Sequence, residues 1–334
     1  IFDETPGVKT FRLEDQNDLV LPFTYYPGQF LTLAFEIDGK KVKRSYTIAS
    51  TPTQSHFCAL TIKREDKGVV SRHMHDTIKE GDLIEARGPN GKFTFTGEEA
   101  KSIVLVAGGV GITPMMSVIR YLTDIGWKGE IFFLFCCRTT KDFIYRQELE
   151  QLQLRNPNLN VFAFMTRAAG TVWMGFKGRF SAEIIGGLIP DITSRRVHIC
   201  GPPAMMDAAV EMFKKLKVPD ELIKTEAFGP AKKPAGKKPP AKKKVSKNAP
   251  AVTFTKSKKS APLSPEMTVL EAAEAVEVEI DYSCLSGQCG LCKVKLCSGK
   301  VTMEVDDALS DEDKADGMIL ACQAKATGNL EVEA

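Results

Sequence analysis

The sequence predicts a multidomain chain: a small antiparallel β-barrel at the amino end, a central α/β domain built on a parallel sheet, and a small α+β domain at the carboxyl end. Three observations lead there. Short β-rich stretches broken by Gly and Pro fill the first part of the chain. Two strand, glycine-turn, helix units follow, and behind a lysine-rich break come four cysteines, Cys284, Cys289, Cys292 and Cys322.

With 334 residues, 43 % hydrophobic and 26 % charged, the chain has an ordinary composition and room for two or three domains. No apolar run reaches the roughly 18 residues of a membrane span. The strongest, IFFLFCC at 131–137, reads as a buried strand. No signal-peptide pattern opens the sequence, and since its first residue is Ile1 rather than Met, nothing is read from where it begins. Nine cysteines, an odd number scattered along a long chain, argue against a secreted disulfide framework and for a reducing cytoplasm.

In the first part, YPGQFLTLAFEI, KRSYTIAS, FCALTIKRE and GDLIEARGPNGKF read as strands of a small antiparallel barrel, with one helix in GVVSRHMHDTI. His73 and His75 stand two apart on that helix, which turns them to different faces, so no metal pair is expected.

The α/β signal starts at KSIVLVAGGVGITPMMSVIRYLT, 101–123: a buried strand, a glycine turn and a helix. Thr113 is expected to cap the helix and Pro114 to suit its first turn. Gly108, Gly109 and Gly111 would let backbone approach a pyrophosphate at a helix N-terminus. The turn departs from G-x-G-x-x-G, since position 114 is Pro. A second unit, VHICGPPAMMDAAVEMF at 197–213, repeats the strand–turn–helix order, and open sheets bind nucleotides at such strand ends. IFFLFCC and NVFAFMT supply further strands; Cys136, Cys137, Met115 and Met116 are read as packing residues.

The net charge of +3 hides three regions. The tract 230–250, PAKKPAGKKPPAKKKVSKNAP, carries eight lysines and no acid, whereas 251–334 comes to −7 and 1–229 to +2. Lys, Pro and Ala without large apolar residues cannot bury a core, so the tract is read as a linker that could span about 65 Å if extended. Nucleic-acid contact is not expected of it.

The cysteines are spaced Cys284-x4-Cys289-x2-Cys292, then 29 residues to Cys322. Zinc sites usually pair two C-x2-C knuckles. Three thiolates on one loop with a distant fourth is the plant-type [2Fe–2S] spacing, and Gly287 and Gly290 leave room for backbone to fold around a cluster. Around this loop, VTFTKS reads as a strand, Thr268 and Glu271 as a capping box opening a helix to about Val276, and KVKLC and GKVTMEV as strands. Cys297, outside the ligand spacing, is expected to be a packed thiol.

Residues 251–334 thus resemble a plant-type ferredoxin domain, a β-grasp fold. RSYT at 44–47, GVVS at 68–71, GPNGKF at 88–93, AGGVGITP at 107–114 and CGPP at 200–203 resemble the ferredoxin–NADP reductase superfamily. The domain order is similar to that of the reductases of hybrid cluster proteins and of Rieske-type oxygenases. The resemblance implies an FAD-binding barrel at 1–98, an NAD(P)H-binding domain at 99–229 and a [2Fe–2S] domain at 251–334. Arg44 would pair with the flavin diphosphate, Ser45 and Tyr46 would lie along the isoalloxazine, Thr47 would hydrogen-bond near its N5, and Gly68, Val69, Val70 and Ser71 would meet the diphosphate. Gly108, Gly109, Gly111, Ile112, Thr113 and Pro114 would hold the dinucleotide; Cys200, Gly201 and Pro202 would flank the nicotinamide; Glu226 and Phe228 would close the site beside the flavin.

The function this implies is electron transfer from NADH through FAD and [2Fe–2S] to a separate protein, an oxygenase or a hybrid cluster protein. A flavin can take two electrons together and release them singly, which suits it to stand between a nicotinamide and a one-electron cluster. Arg138 could favour a 2′-phosphate, yet R-T-x-x-D at 138–142 resembles NADH-using relatives, so NADH is expected over NADPH. Two other readings stay open: a stand-alone diaphorase or flavin reductase with a small acceptor, and a non-enzymatic Fe–S relay subunit. The glycine turn and CGPP count against the relay, which needs no nucleotide site.

Overall fold

A computed structural model of the chain describes all residues except 171, 229–249, 265, 283, 284, 286, 288, 289, 307 and 327. Contacts divide it into two compact units, residues 1–89 with 93–228, and residues 90–92 with 229–334. The linker tract, apart from Pro250, lies outside the described residues.

The first unit begins with β1 (Phe2–Thr5), β2 (Val8–Glu14), β3 (Phe30–Ile37), β4 (Lys40–Thr47), β5 (Phe57–Lys63), α1 (Val69–Asp76) and β6 (Glu85–Asn90). The strands form two three-stranded sheets, β1-β2-β5 and β4-β3-β6, joined by a bridge between Ile48 and Leu60. Phe11, Leu31, Leu33, Leu60 and Ile62 fill the space between them. α1 closes the barrel with Val70 and Met74, four residues apart on one face. Its histidines part as the helix dictates: the His73 ring meets Phe35 at 5.0 Å, while the His75 ring bonds through Nε2 to the Ile62 carbonyl oxygen at 2.8 Å.

The same unit continues with β7 (Ser102–Gly108), α2 (Ile112–Asp124), β8 (Glu130–Cys137), α3 (Arg146–Arg155), β9 (Leu159–Met165), β10 (Phe176–Lys177), α4 (Ala182–Leu188), β11 (Arg196–Cys200), α5 (Pro203–Lys215) and β12 (Ile223–Glu226). Its strands make one six-stranded sheet, order β10-β9-β8-β7-β11-β12, with every pair parallel. Unbroken apolar runs suit strands covered on both faces. Along β7 and β8, Ile103, Leu105, Ile131 and Phe133 pack in the core shared with α2 and α3, whereas Val104, Val106, Phe132 and Leu134 pack with α4 and α5. The two-residue period of a strand thus serves two helical layers.

Barrel and sheet are fastened by a polar cluster. Arg120 of α2 makes a bidentate pair with Glu148 of α3, Nε and Nη2 each 2.6 Å from a carboxylate oxygen. Its Nη1 donates to the carbonyl oxygen of Ala49 in the barrel, and its guanidinium lies 4.5 Å from the centre of the Tyr145 ring. The Tyr145 hydroxyl bonds Thr61 of β5, and burial pushes its pKa up, so it stays protonated. One arginine therefore holds three segments that are distant in sequence.

The second unit comprises β13 (Ala251–Phe254), β14 (Lys259–Pro262), α6 (Val269–Ala275), β15 (Lys293–Ser298), β16 (Val301–Thr302), α7 (Asp311–Ala315), β17 (Met318–Leu320), β18 (Lys325–Ala326) and β19 (Leu330–Glu333). Five strands form a mixed sheet, order β14-β13-β19-β15-β17, in which β13 and β19 are parallel and α6 packs beside them. α6 opens at the expected capping box, Thr268 Oγ1 accepting from Glu271 N while the Glu271 carboxylate accepts from Thr268 N. Cys297 contradicts its expectation: it is exposed near the end of β15 rather than packed, because it alternates away from the buried Val294 side of the strand. Among the described residues no helix is long and apolar enough to cross a membrane.

Arg120→Ala should destabilise the first unit by about 2 kcal/mol, less than the roughly 3–5 kcal/mol of a fully buried broken pair, because Glu148 keeps some solvent. Urea unfolding measures it, and an unchanged midpoint would show that the cluster does not hold barrel to sheet.

Candidate functional site

The chain leaves β7 toward β8 on one side of the sheet and leaves β11 toward β12 on the other, so a crevice opens between their carboxyl ends, the topological switch point. Gly111 allows those ends to close up: a Cβ there would lie 2.3 Å from the carbonyl oxygen of Cys200. A Cβ on Gly108 would meet Met205 Sδ at 2.5 Å and Pro202 at 3.0 Å. Gly109 differs, with φ +55° and nothing within 4 Å of its missing Cβ, so it is the turn's open position. Two of the three glycines serve packing between strand ends and one faces free space.

A cavity of about 690 Å³ lies at this point, lined by Gly108, Gly109, Gly111, Arg138, Gly201, Pro202 and Phe228 from the expected set. The other nucleotide-motif residues are placed otherwise. Ile112, Thr113 and Pro114 are buried in the first turn of α2. Contrary to expectation, Thr113 does not cap the helix: α2 starts at Ile112, with Gly111 as its uncapped N-cap two residues before Thr113, and the Thr113 hydroxyl donates to the Val110 carbonyl at 3.0 Å. Cys200 is fully buried, with its thiol in the core and its pKa pushed up by burial; Glu226, its partner across β11 and β12, is half-buried.

Other lining residues escaped the sequence reading. Lys63, the last residue of β5, and Glu65 just beyond it, an ion pair 2.6 Å apart, come from the barrel, and Arg179 and Met205 from the sheet side. An isolated Arg in FKGRF carries no pattern that would single it out. Asp142 also lines the cavity; its carboxylate accepts from the Thr139 amide at 2.9 Å and hydroxyl at 2.6 Å, which fixes the loop after β8. Cys137 is buried in the core and Cys136 packs against it, as expected; at the end of β8 both also line the cavity, and burial pushes their thiols to about 12 and about 11.

The flavin motifs sit on the barrel and do not line this cavity. Arg44 is exposed near the end of β4, its Nη1 donating to the Lys43 carbonyl, and Ser45 bonds Thr32 at 2.8 Å. Tyr46 is half-buried, and burial pushes its phenol up to about 12, so it stays neutral; Thr47 is buried. At the start of α1, Gly68 is an N-cap without a side-chain bond, Val69 is exposed, Val70 is buried, and the Ser71 hydroxyl accepts from Glu65 N. An exposed guanidinium and an uncapped helix start fit a bound diphosphate, and the open Gly109 at the switch-point cavity fits a dinucleotide.

In the second unit, Cys284 and Cys289 lie outside the described residues. Cys292 and Cys322 are buried, one just before β15 and the other just after β17, and these antiparallel neighbours bring them together. Ala321 N donates to the Cys292 carbonyl at 2.9 Å. Their sulfurs are 3.3 Å apart, too far for a bond of about 2.05 Å but close to the roughly 3.7 Å between two thiolates on one tetrahedral metal. The donor set fits an iron site. Gly287 (φ +77°) cannot carry a side chain, since a Cβ would meet the Val305 carbonyl oxygen at 2.8 Å and Gln323 Cγ at 2.9 Å. Next to Cys292, Lys293 pairs with Asp313 at 2.6 Å; that hydrogen bond first, helped by the Ser310 amide, draws the carboxyl pKa down to about 2.

Comparison with known proteins covers most of the chain. Residues 5–95 match the oxidoreductase FAD-binding domain family, 105–211 the oxidoreductase NAD-binding domain family, and 252–327 the 2Fe-2S iron-sulfur cluster binding domain family. The chain is 34 % identical to the glycine betaine monooxygenase reductase subunit of Pseudomonas aeruginosa, across 100 % of this chain and 93 % of that one. It is 32 % identical to the NADH oxidoreductase HCR of Escherichia coli over 99 % of this chain and 94 % of that one. Among solved structures it is similar to phthalate dioxygenase reductase, with a TM-score of 0.63 and 26 % identity over 100 % of this chain and 95 % of that one.

The glycines give a paired test. Gly111→Ala should cost more than about 2 kcal/mol of stability, because the Cys200 backbone cannot step aside. Gly109→Ala should cost only about 1–2 kcal/mol for its left-handed backbone but weaken dinucleotide binding by about tenfold or more. Urea unfolding and calorimetric NADH titration separate the two; equal effects of both variants would contradict the different roles.

Proposed function

The chain belongs to the ferredoxin–NADP reductase superfamily, in its branch with a carboxyl-terminal [2Fe–2S] domain, and from that premise we propose that it is a reductase component taking electrons from NADH and delivering them to a separate terminal oxygenase. One observation carries this reading: a single chain holds a switch-point cavity and two buried cysteines, Cys292 and Cys322, with sulfurs 3.3 Å apart, close to metal-ligand separation. Bound, a nicotinamide gives two electrons at once, FAD accepts the pair and releases it singly, and a [2Fe–2S] cluster takes one.

The residues of the chain bind and orient. In this proposal residues 1–98 form the FAD domain, 99–229 the NADH domain and 251–334 the cluster domain, with 230–250 as the tether. Gly109 presents open backbone to the dinucleotide phosphates, while Gly108 and Gly111 keep the strand ends close. Gly201 and Pro202 shape the nicotinamide end, where Cys200 contributes backbone, its thiol being turned into the core. Phe228, partly exposed at the cavity, covers the flavin side together with Glu226. Arg138 and Arg179 meet the adenosine end, and NADH is the proposed donor. Arg44 and the α1 start, Gly68 to Ser71, hold the FAD diphosphate, while Ser45, Tyr46 and Thr47 lie along its ring. Cys284, Cys289, Cys292 and Cys322 are the four cluster ligands. A hybrid cluster protein is the second proposed acceptor; its acceptance of electrons faster than any oxygenase would displace the first.

Cys292→Ser should abolish the [2Fe–2S] absorption and cytochrome c reduction while retaining NADH–ferricyanide turnover, because ferricyanide can take electrons at the flavin. Loss of both activities in a folded, FAD-loaded variant would contradict the order of the sites. Arg44→Ala should weaken FAD binding by roughly tenfold or more, the worth of one charge-assisted contact, and fluorescence titration of the apoprotein with FAD reads it; an unchanged dissociation constant sinks the assignment. Electron delivery to the oxygenase should slow with ionic strength, since the −7 domain presents Glu304, Asp311 and Glu312 on its surface. A salt-independent rate would mean that charge does not steer the docking.

A further inference from the structure

We propose that Gln323 is a positioning residue of the cluster site, its side-chain amide tying the cysteine loop to the fourth thiolate and raising the cluster's reduction potential. The inference rests on the reading of the four cysteines as [2Fe–2S] ligands. Gln323 Nε2 donates to the Leu285 carbonyl oxygen at 3.0 Å and to the Cys322 carbonyl oxygen at 3.3 Å, and stands 3.9 Å from Cys322 Sγ. Two carbonyl acceptors fix which end of the amide faces the site: the nitrogen must point there, because the oxygen would meet two other oxygens.

The backbone agrees with the side chain. Leu285, one residue beyond Cys284, holds a left-handed φ of +54°, a conformation that persists only where surroundings enforce it. The Gln323 bond to its carbonyl is such an enforcement. Gly287 lies over the stem of Gln323, so closely that a Cβ there would reach Cγ at 2.9 Å. The glutamine thus packs beneath the loop and bonds to it, while its own backbone follows Cys322. Any shift of the loop relative to β17 must break this contact.

The electronic effect follows from charge. A reduced cluster carries one more negative charge, shared with its thiolates, and an N–H aimed at a ligand sulfur stabilises that state more than the oxidised one. Removing the donor therefore makes the cluster harder to reduce. The electron then stays longer at its source, and delivery slows without any loss of ligands.

The test uses the whole, cofactor-loaded chain with Gln323→Met, which keeps length and removes the donor, and Gln323→Glu, which places a carboxylate there. Iron and sulfide content and the visible spectrum are measured first, then the cluster midpoint potential by EPR-monitored redox titration. Gln323→Met should retain the cluster and lower its potential by about 59 mV, a tenfold change in one-electron partition, and Gln323→Glu should lower it further. A full cluster with an unmoved potential overturns the proposal. Should Gln323→Met fail to hold iron, Gln323→His decides: a restored cluster near the parent potential supports the donor role, and a cluster lost there too assigns the position to packing and overturns it. Failure of the underlying reading is seen separately, as an unmodified chain that binds no two-iron cluster.

Discussion

The close approach of two parallel strand ends governs the nucleotide half. β7 and β11 are neighbours whose chains depart in opposite directions, and Gly111 lets the turn after β7 press on the Cys200 carbonyl oxygen. Any side chain at 111 would push the ends apart. With them held together, the divergence itself makes the cavity, and the turn can leave Gly109 facing open space. Gly201, Pro202 and Met205 complete the wall because α5 begins at once after β11. The cavity is therefore a consequence of topology, and its lining residues tune what topology provides.

The second unit solves a different problem with the same economy of backbone. It must hold cysteine sulfurs at a fixed separation. Antiparallel pairing of β15 with β17 sets Cys292 and Cys322 side by side, and the Lys293–Asp313 pair anchors α7 next to the first of them. Gly287 admits Gln323 beneath the loop. One unit thus offers a roomy cavity suited to a dinucleotide and the other a tight, buried sulfur site; a two-electron donor and a one-electron carrier need such different surroundings.

Much of this was legible in the sequence because the signals are local. An unbroken apolar run ending in glycine marked β7, the strand, Gly-Pro turn and helix order marked β11, cysteine spacing marked the iron–sulfur domain, and Thr268 with Glu271 marked the start of α6. What escaped depends on contacts between distant segments. Arg179 joins the cavity only once β10 lies beside β9, and Lys63 and Glu65 join it only when the barrel packs against the sheet. Cys136 and Cys137 pack in or against the core as their apolar neighbours suggest, and what the sequence did not show is that a strand's carboxyl end in a parallel sheet also opens onto the cavity. Thr113 failed as a cap since the glycine turn already begins the helix, and Cys297 proved exposed because a strand of alternating burial turns it outward.

The central claim is that the two sites act in series on one chain. Anaerobic stopped-flow mixing of the complete protein with NADH, followed by diode-array absorption and freeze-quench EPR, tests it most directly. The account predicts that FAD absorption bleaches first and that the cluster signal then rises, with a rate that does not depend on NADH once the cavity is saturated. A cluster signal that appears before or without flavin bleaching would contradict it.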